Sequence, residues 1–568
     1  MKRKVISFII SLLVLAVIGV GGMIVYKRLS PSKVKRSMAS QYNTLGEDQA
    51  LIVLNGVPLE ENFGKVIGGQ DYVEISFARQ YLNKRLYWDD KARILSLATS
   101  DGLIQMKANA NSYTLGNETK EPKTQVIYVD GSTVYISMDF VSQYSYINYE
   151  SKGEEVPHRI LVQSDFTTDC VFGVLAKDEY LRVGPNKKYD YLLKIPRNNK
   201  VVVEESARVE NGYQKVYTMD GIAGYVPLES IGGREQEPWT AKGKEDIFQP
   251  MSMEKKVCLG WQYTDTSGEY DLQSKILNAG AMNVISPTWM KVVDDQGTVE
   301  NNGTQNYVTM AHSAGLKVWG MVQYEKDSKI SKVLKRTKRR TRLVQNILQA
   351  AMSCGMDGVN IDFEELRESS MEGYLEFLRE LVLVCHANNI LVSADNYNAT
   401  DATFYYDWAE QGKILDYVIF MAYDEHYPGG GSIGSVSSLS YVEEGTKTAL
   451  QYVPKERTVI ALPFYTRLWK TTKNKKGENK ITSTAYGMSG AESILHEKNI
   501  TPKWDDNSGQ YYASYNEGKD QYNIWLEEET SLELKMKSVM AQEVYGVAFW
   551  QLGLERPATW KMIAEQIK

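Results

Sequence analysis

From Lys256 onward, eight short apolar runs alternate with helix-length amphipathic segments, and this alternation constrains the chain more than any other feature. The runs are Val257–Trp261, Met282–Ser286, Lys317–Val322, Val359–Phe363, Ile390–Ala394, Tyr417–Ala422, Val459–Pro463 and Gly546–Trp550. Eight strands of this kind separated by helices argue a parallel (β/α)8 TIM barrel over residues 256–568. Between the seventh and eighth runs, the segment from about 466 to 540 is too long for a plain crossover. It is rich in Tyr and Lys and is expected to form a small α+β insertion at the barrel mouth. A basic stretch from Lys329 to Arg342 opens a predicted helix, and we read it as a solvated helix face rather than a site for anionic polymer.

The run with chemical content is Asp357-Gly358-Val359-Asn360-Ile361-Asp362-Phe363-Glu364. Side chains alternate faces along a strand, so Asn360, Asp362 and Glu364 share one face and Val359, Ile361 and Phe363 the other. In a barrel the apolar set packs on the helices and the polar set points inward. Carboxylates are costly there unless paired or functional. Active groups of such barrels sit at the C-terminal strand ends, which is where Glu364 falls. The charge of Asp362 beside it should raise the Glu364 pKa and keep it protonated, as a general acid requires.

The pattern D-x-x-D-x-D-x-E on a barrel's fourth strand resembles that of glycoside hydrolase family 18, and the resemblance runs from about residue 256 to the C-terminus. Met421-Ala422-Tyr423-Asp424 resembles the family's sixth-strand motif, and Leu462-Pro463-Phe464-Tyr465-Thr466-Arg467 its seventh. Gly546-Val547-Ala548-Phe549-Trp550 resembles the eighth, which floors the pocket with tryptophan. Spore cortex-lytic N-acetylglucosaminidases are among the look-alikes. The departure is Asn360, where the family more often has Asp; an amide cannot share a proton with Asp362, which puts the pH profile in question.

The resemblance implies substrate-assisted catalysis with retained configuration. Glu364 would protonate the glycosidic oxygen, the substrate's acetamido oxygen would attack C1, and Asp362 and Tyr423 would hold the acetamido group. Such chemistry needs an N-acetyl group and no metal or organic cofactor. Trp550 is the expected stacking floor, with Asp424, Tyr465 and Arg467 as candidates for holding sugar hydroxyls. Trp289, Gln323, Tyr324, Asp395 and Asn396 follow other strands and are candidates to line the cleft, alongside Asn360.

Upstream of the barrel the organisation is modular. Residues 1–28 contain the uncharged run Val5–Tyr26, whose 22 residues would span roughly 33 Å as a helix, enough to cross a bilayer. We read it as an uncleaved transmembrane anchor, with cleavage and secretion as the alternative. The cations Lys27, Arg28, Lys33, Lys35 and Arg36 after the run outnumber Lys2, Arg3 and Lys4 before it. That bias favours a cytoplasmic body, whereas the modules that follow argue an extracellular one. Residues 29–48 form a polar stalk, and 49–165 an α+β module with a weak internal repeat. Tyr72-Val73-Glu74-Ile75-Ser76 answers to Thr133-Val134-Tyr135-Ile136-Ser137, Leu86-Tyr87-Trp88 to Ile147-Asn148-Tyr149, and Arg93-Ile94-Leu95 to Arg159-Ile160-Leu161. The module resembles the copper amine oxidase N-terminal-like repeats of bacterial surface proteins, without metal-ligand spacing. Residues 168–232 are all-β in pattern and resemble a bacterial SH3-like barrel, which implies either cell-wall binding or a spacer. Residues 233–255 form a linker.

A net charge of −6 argues against nucleic acid as partner. The four cysteines form no CxxC pair and the five histidines no triad, so neither a zinc site nor a disulfide framework is expected. The expected function is hydrolysis of β-1,4 bonds in an N-acetylglucosamine-containing polysaccharide, either peptidoglycan or chitin. The alternative is a non-catalytic, lectin-like surface protein, which the presence of Glu364 disfavours.

Overall fold

In a computed structural model the described residues are 2–264, 271–326, 329–473 and 478–567. The chain divides into two compact units. One comprises Met1–Leu86, Ala108–Tyr113 and Lys120–Asp246, and the other Tyr87–Lys107, Thr114–Thr119 and Ile247–Lys568.

The second unit holds the barrel. Its strands are β1 (Val257–Gln262), β2 (Val284–Pro287), β3 (Lys317–Tyr324) and β4 (Gly358–Ile361), then β5 (Leu391–Tyr397), β6 (Tyr417–Met421), β7 (Thr458–Pro463) and β8 (Gly546–Trp550). All pair in parallel, and β8 closes on β1 through Val257↔Gly546 to Gly260↔Phe549. The helices following the strands are α1 (Leu272–Ile276), α2 (Gln305–Ser313), α3 (Thr337–Cys354), α4 (Met371–His386), α5 (Trp408–Ile414), α6 (Leu439–Ala449), α7 (Glu529–Ala541) and α8 (Pro557–Gln566). Alternation then divides the side chains into two cores. Leu259, Trp261, Trp319, Tyr417, Ile419, Val459 and Ala548 fill the barrel. Val359, Ile361, Phe363, Val418, Phe420, Ile460 and Phe549 pack outward against the helices.

The insertion departs from β7 as expected but is shorter. It is a five-stranded sheet with one helix, running from Tyr465–Lys473 to Asp520–Leu526. Residues 529–541 are the barrel's own α7, packed on α6 and α8, because Leu532, Met536 and Val539 give that segment a buried helical stripe. The basic stretch also differs from expectation. Lys332, Lys335 and Lys338 are exposed, but Arg340 is fully buried and paired with Glu380 of α4 at 2.8 Å.

A separate five-stranded sheet, from Tyr87–Asp89 to Glu118–Lys120, lies mostly within the second unit. Its first three strands pack on α4. Asp89, buried, accepts the Thr337 amide at 2.8 Å and pairs with Arg336 at 2.8 Å.

The first unit contains two other sheets. One pairs the two halves of the sequence repeat directly: Tyr72↔Ser137, Val73↔Ile136 and Glu74↔Tyr135 run antiparallel. Beyond that pair the copies diverge. Asn148–Lys152 and Arg159–Gln163 stay in this sheet, whereas their counterparts Tyr87–Asp89 and Ile94–Thr99 lie in the other unit. The second is a seven-stranded antiparallel sheet from Asp169–Leu175 to Ile231–Pro238, longer at its end than the expected 168–232. At the N-terminus, helix Lys2–Leu29 includes Phe8–Lys27, with mean hydropathy 2.8, long and apolar enough to cross a membrane.

Candidate active site

The C-terminal end of β4 delivers the acidic pair. The Asp362 amide still bonds Val322 of β3 at 2.9 Å, so the ladder carries the chain one residue past the strand. Glu365 then takes the left-handed conformation at φ 53°, which turns the chain directly behind Glu364. Four tyrosines hold this turn. Tyr324 donates to the Glu364 carbonyl, and Tyr406 to the Phe363 carbonyl at 3.2 Å. The Tyr397 hydroxyl accepts the Glu365 amide at 3.1 Å, and Tyr405 donates to the Leu366 carbonyl at 3.1 Å. An uncommon backbone conformation is thereby fixed from β3, β5 and the segment after β5, which is how strain persists at functional positions.

Below the turn, Asp362 is 6% exposed. Gln323 donates to its Oδ2 at 2.7 Å, while Oδ1 has no partner among the described residues. Burial raises its pKa to about 6, against hydrogen bonds from Gln323 and Glu364 that lower it. Glu364 is raised further, to about 8, first by burial and next by the Asp362 charge; a hydrogen bond from Tyr397 opposes this. The order of causes matters. Sequence reasoning credited the neighbouring charge, but withdrawal from water is the larger effect.

Deeper in the barrel, Asn360 is tied into a network of fixed polarity. Its Oδ1 accepts the Trp261 indole N–H at 2.9 Å. Indole only donates, so the Asn360 amide must donate onward, to Asp395 Oδ1 at 2.8 Å and Ser393 at 3.0 Å. Asp395 is buried, and burial, with the Asp362 charge second, holds its pKa well above the carboxylate range. Its Oδ2 has no hydrogen-bond partner among the described residues.

Other expected residues divide similarly. Tyr423 follows β6, nearly buried, its ring centroid 6.2 Å from that of Tyr465. Asp424 sits at φ 54°, accepts the Tyr465 hydroxyl at 2.7 Å and lies 3.9 Å from Arg467, so these three form one constellation. Trp550, half-buried, ends β8 with its ring 6.0 Å from Trp261. Trp289 and Asn396 belong elsewhere. Trp289 is buried against Tyr307, centroids 4.7 Å apart, in the layer between barrel and helices. Asn396 points outward to α5, where it exchanges two 2.9 Å hydrogen bonds with Gln411. Sequence reasoning missed Trp261, Tyr397, Tyr405 and Tyr406. The alternation along β1 and β5 signals the first two, and nothing local distinguishes the others from core aromatics.

A closed parallel barrel with a half-buried carboxyl of raised pKa at a C-terminal strand end, beside a second carboxyl, is suited to general-acid chemistry. The sequence model for glycosyl hydrolases family 18 matches residues 261–555, just over half the chain. The chain belongs to that family. A copper amine oxidase N-terminal domain matches residues 53–156. Among relatives, the chain is 24% identical over 290 residues to an uncharacterized glycosylase, YvbX, of Bacillus subtilis, covering 48% of this chain and 82% of that one. It is 26% identical over 232 residues to the cortical fragment-lytic enzyme of the same organism, covering 40% of this chain and 53% of that enzyme. The match therefore spans little more than half of the latter. The C-terminal domain of a Desulfitobacterium hafniense protein shares the fold, with TM-score 0.51 and 21% identity over 56% of this chain and all of that domain.

Proposed function

We propose that this glycosidase cleaves β-1,4 bonds at N-acetylglucosamine in peptidoglycan by retaining, substrate-assisted catalysis. The observation that supports it best is Asp362, buried beside the protonated Glu364. Gln323 and the Glu364 proton are the donors Asp362 has, and Glu364 gives that proton to the leaving group. The N–H of a bound acetamido group then supplies the donor that the buried carboxylate needs. Glu364 gives its proton to the glycosidic oxygen as the acetamido oxygen attacks C1. Asp362 orients that group and stabilises the oxazolinium ion as it forms. Tyr423 reaches the same group from β6, Trp550 receives the sugar face, and the Asp424–Tyr465–Arg467 constellation meets the hydroxyls. Glu364, now a carboxylate, activates the water that opens the oxazolinium ring.

The choice of peptidoglycan over chitin rests on the cortical fragment-lytic relatives. Helix Lys2–Leu29 would anchor the protein in the cell membrane, with residues 49–238 as spacer and wall-holding modules and the barrel outside.

The test pairs substrates with and without the acetamido group. Glu364→Gln should retain sugar binding and lose turnover about 10²–10⁴-fold, the usual contribution of a general acid. Asp362→Ala should lower kcat strongly with modest change in KM. Hydrolysis at a free glucosamine preceding the scissile bond would sink the mechanism, and sugar binding without turnover by the wild-type chain would sink the assignment as an enzyme.

A further inference from the structure

A second concave site lies away from the β4 carboxylates, within the same compact unit. A cavity of about 820 Å³ is bounded by the Tyr87–Lys107 segment on one side and by Asp295 and the residues from Ser331 to Arg339 on the other. Seven basic side chains line it against two aspartates, in a protein whose net charge is −6. The cations are therefore concentrated against the overall field, and a concave wall focuses their potential.

Their chemistry narrows the ligand. Both arginines are engaged, Arg336 with Asp89 at 2.8 Å and Arg339 with Asp295 at 3.2 Å. The Arg336–Asp89 pair joins the two sides of the cavity. The remaining cations are all lysines: Lys91, Lys107, Lys332, Lys335 and Lys338, each exposed and none in an ion pair among the described residues. Planar carboxylates are best matched by free guanidinium forks, whereas compact ammonium groups suit phosphate as point charges. No aromatic ring lines the cavity, so the stacking platform expected of a single-stranded nucleic-acid site is missing. A concave surface also fits a chain better than a membrane plane.

We propose that this cavity binds an anionic polyol-phosphate polymer, a phosphodiester chain without bases. The lysines that sequence reasoning assigned to a solvated helix face then act together with Lys91 and Lys107 from the accessory sheet. That sheet completes the site, which gives its packing on the catalytic unit a binding role. Held there, an anionic surface polymer would tether the barrel independently of the glycan in its cleft.

The test uses the full-length chain in detergent, with poly(glycerol phosphate) as the probe. Binding should be saturable and should weaken at least about tenfold when the five lysines are changed to Gln. The slope of log affinity against log salt should also fall by about 3.5, taking about 0.7 per phosphate charge as for single-stranded phosphodiesters. Lys480→Gln/Lys503→Gln/Lys519→Gln, three exposed cations of the insertion, should change affinity less than about twofold. Hydrolysis of soluble glycan fragments should be unchanged in both variants. Should the five-site variant fail to fold, Lys107→Gln/Lys335→Gln reads the same site with a proportionally smaller loss. Equal weakening by the insertion variant, equally tight binding of poly-glutamate, or binding only to anionic phospholipid vesicles would each overturn the proposal.

Discussion

In the proposed reaction Glu364 must enter protonated and Asp362 charged, and their surroundings set opposite limits on pH. Asp362, raised to about 6, loses its charge below that value. Glu364, raised to about 8, loses its proton above that value. A bell-shaped kcat/KM profile is expected, rising through about 6 and falling through about 8, both limbs belonging to the coupled pair. A profile flat from pH 5 to 9 would exclude this pair as the acid machinery. Stability follows the same proton. A carboxyl whose folded pKa is raised stabilises fully at low pH and loses that contribution as pH climbs from the unfolded value to the folded one. Relative to Glu364→Gln, the wild-type chain should thus lose stability between about pH 4.5 and 8, at up to about 1.4 kcal/mol per pH unit. Thermal melts of the two proteins across that range check it. Asn360→Asp probes the floor. It replaces a donor to Asp395 with a carboxyl beside two others, and should cost about 1–3 kcal/mol, more at pH 8 than at pH 5. Equal melting temperatures at pH 8 would mean that the amide's donor role is dispensable. Glu364 and Asp362 were legible from alternation and a strand end, and Asp395 as a candidate on the fifth strand, but its raised pKa was not. That rise comes from burial and from the Asp362 charge, against a hydrogen bond from Asn360 whose polarity is set by Trp261, on a strand about a hundred residues earlier.

Among the elements, the helices around β4 are joined by buried charge. Arg340 of α3 meets Glu380 of α4 at 2.8 Å, and Arg379 of α4 meets Glu410 of α5 at 2.8 Å. Burial raises Glu380 to about 7, with Arg340 the main opposing influence. Breaking one partner leaves an uncompensated buried charge, so Arg340→Met should cost about 3–5 kcal/mol. Arg340→Met with Glu380→Leu should recover most of that loss, because apolar packing replaces the pair rather than half of it. A double variant no more stable than the single one would show that the arginine packs rather than pairs. Sequence reasoning took this stretch as one solvated face, since six basic residues within nine look alike in one dimension. Their fates differ because the partner acid lies forty residues away, on a helix whose facing is decided only by the barrel. The strands carried their own evidence. All eight expected runs overlap observed strands, since buried parallel strands read as continuous apolar segments.

At the scale of the whole molecule, short-range pattern located the barrel, but it could not assign the accessory sheet to a compact unit. Tyr87–Asp89 and Asn148–Lys152 occupy equivalent places in the repeat, yet they fall in different units, because that choice depends on the surface each strand meets. The insertion was over-extended for a related reason: α7 is amphipathic and polar enough to resemble it until Leu532, Met536 and Val539 are seen buried. The proposed membrane anchor sets two physical signals in conflict. Helix Lys2–Leu29 is flanked by more cations after its apolar span than before it, which favours retaining the body in the cytoplasm. A wall-polymer hydrolase must meet its substrate outside. We expect the substrate side to hold, so protease added to intact cells should remove residues beyond the span and leave a short membrane-embedded fragment. Anti-barrel antibody should bind unpermeabilised cells from which the outer wall has been stripped. Full protection in intact cells, with digestion only after lysis, would put enzyme and wall glycan in different compartments. The barrel's chemistry would stand in that case, and the peptidoglycan assignment would fall.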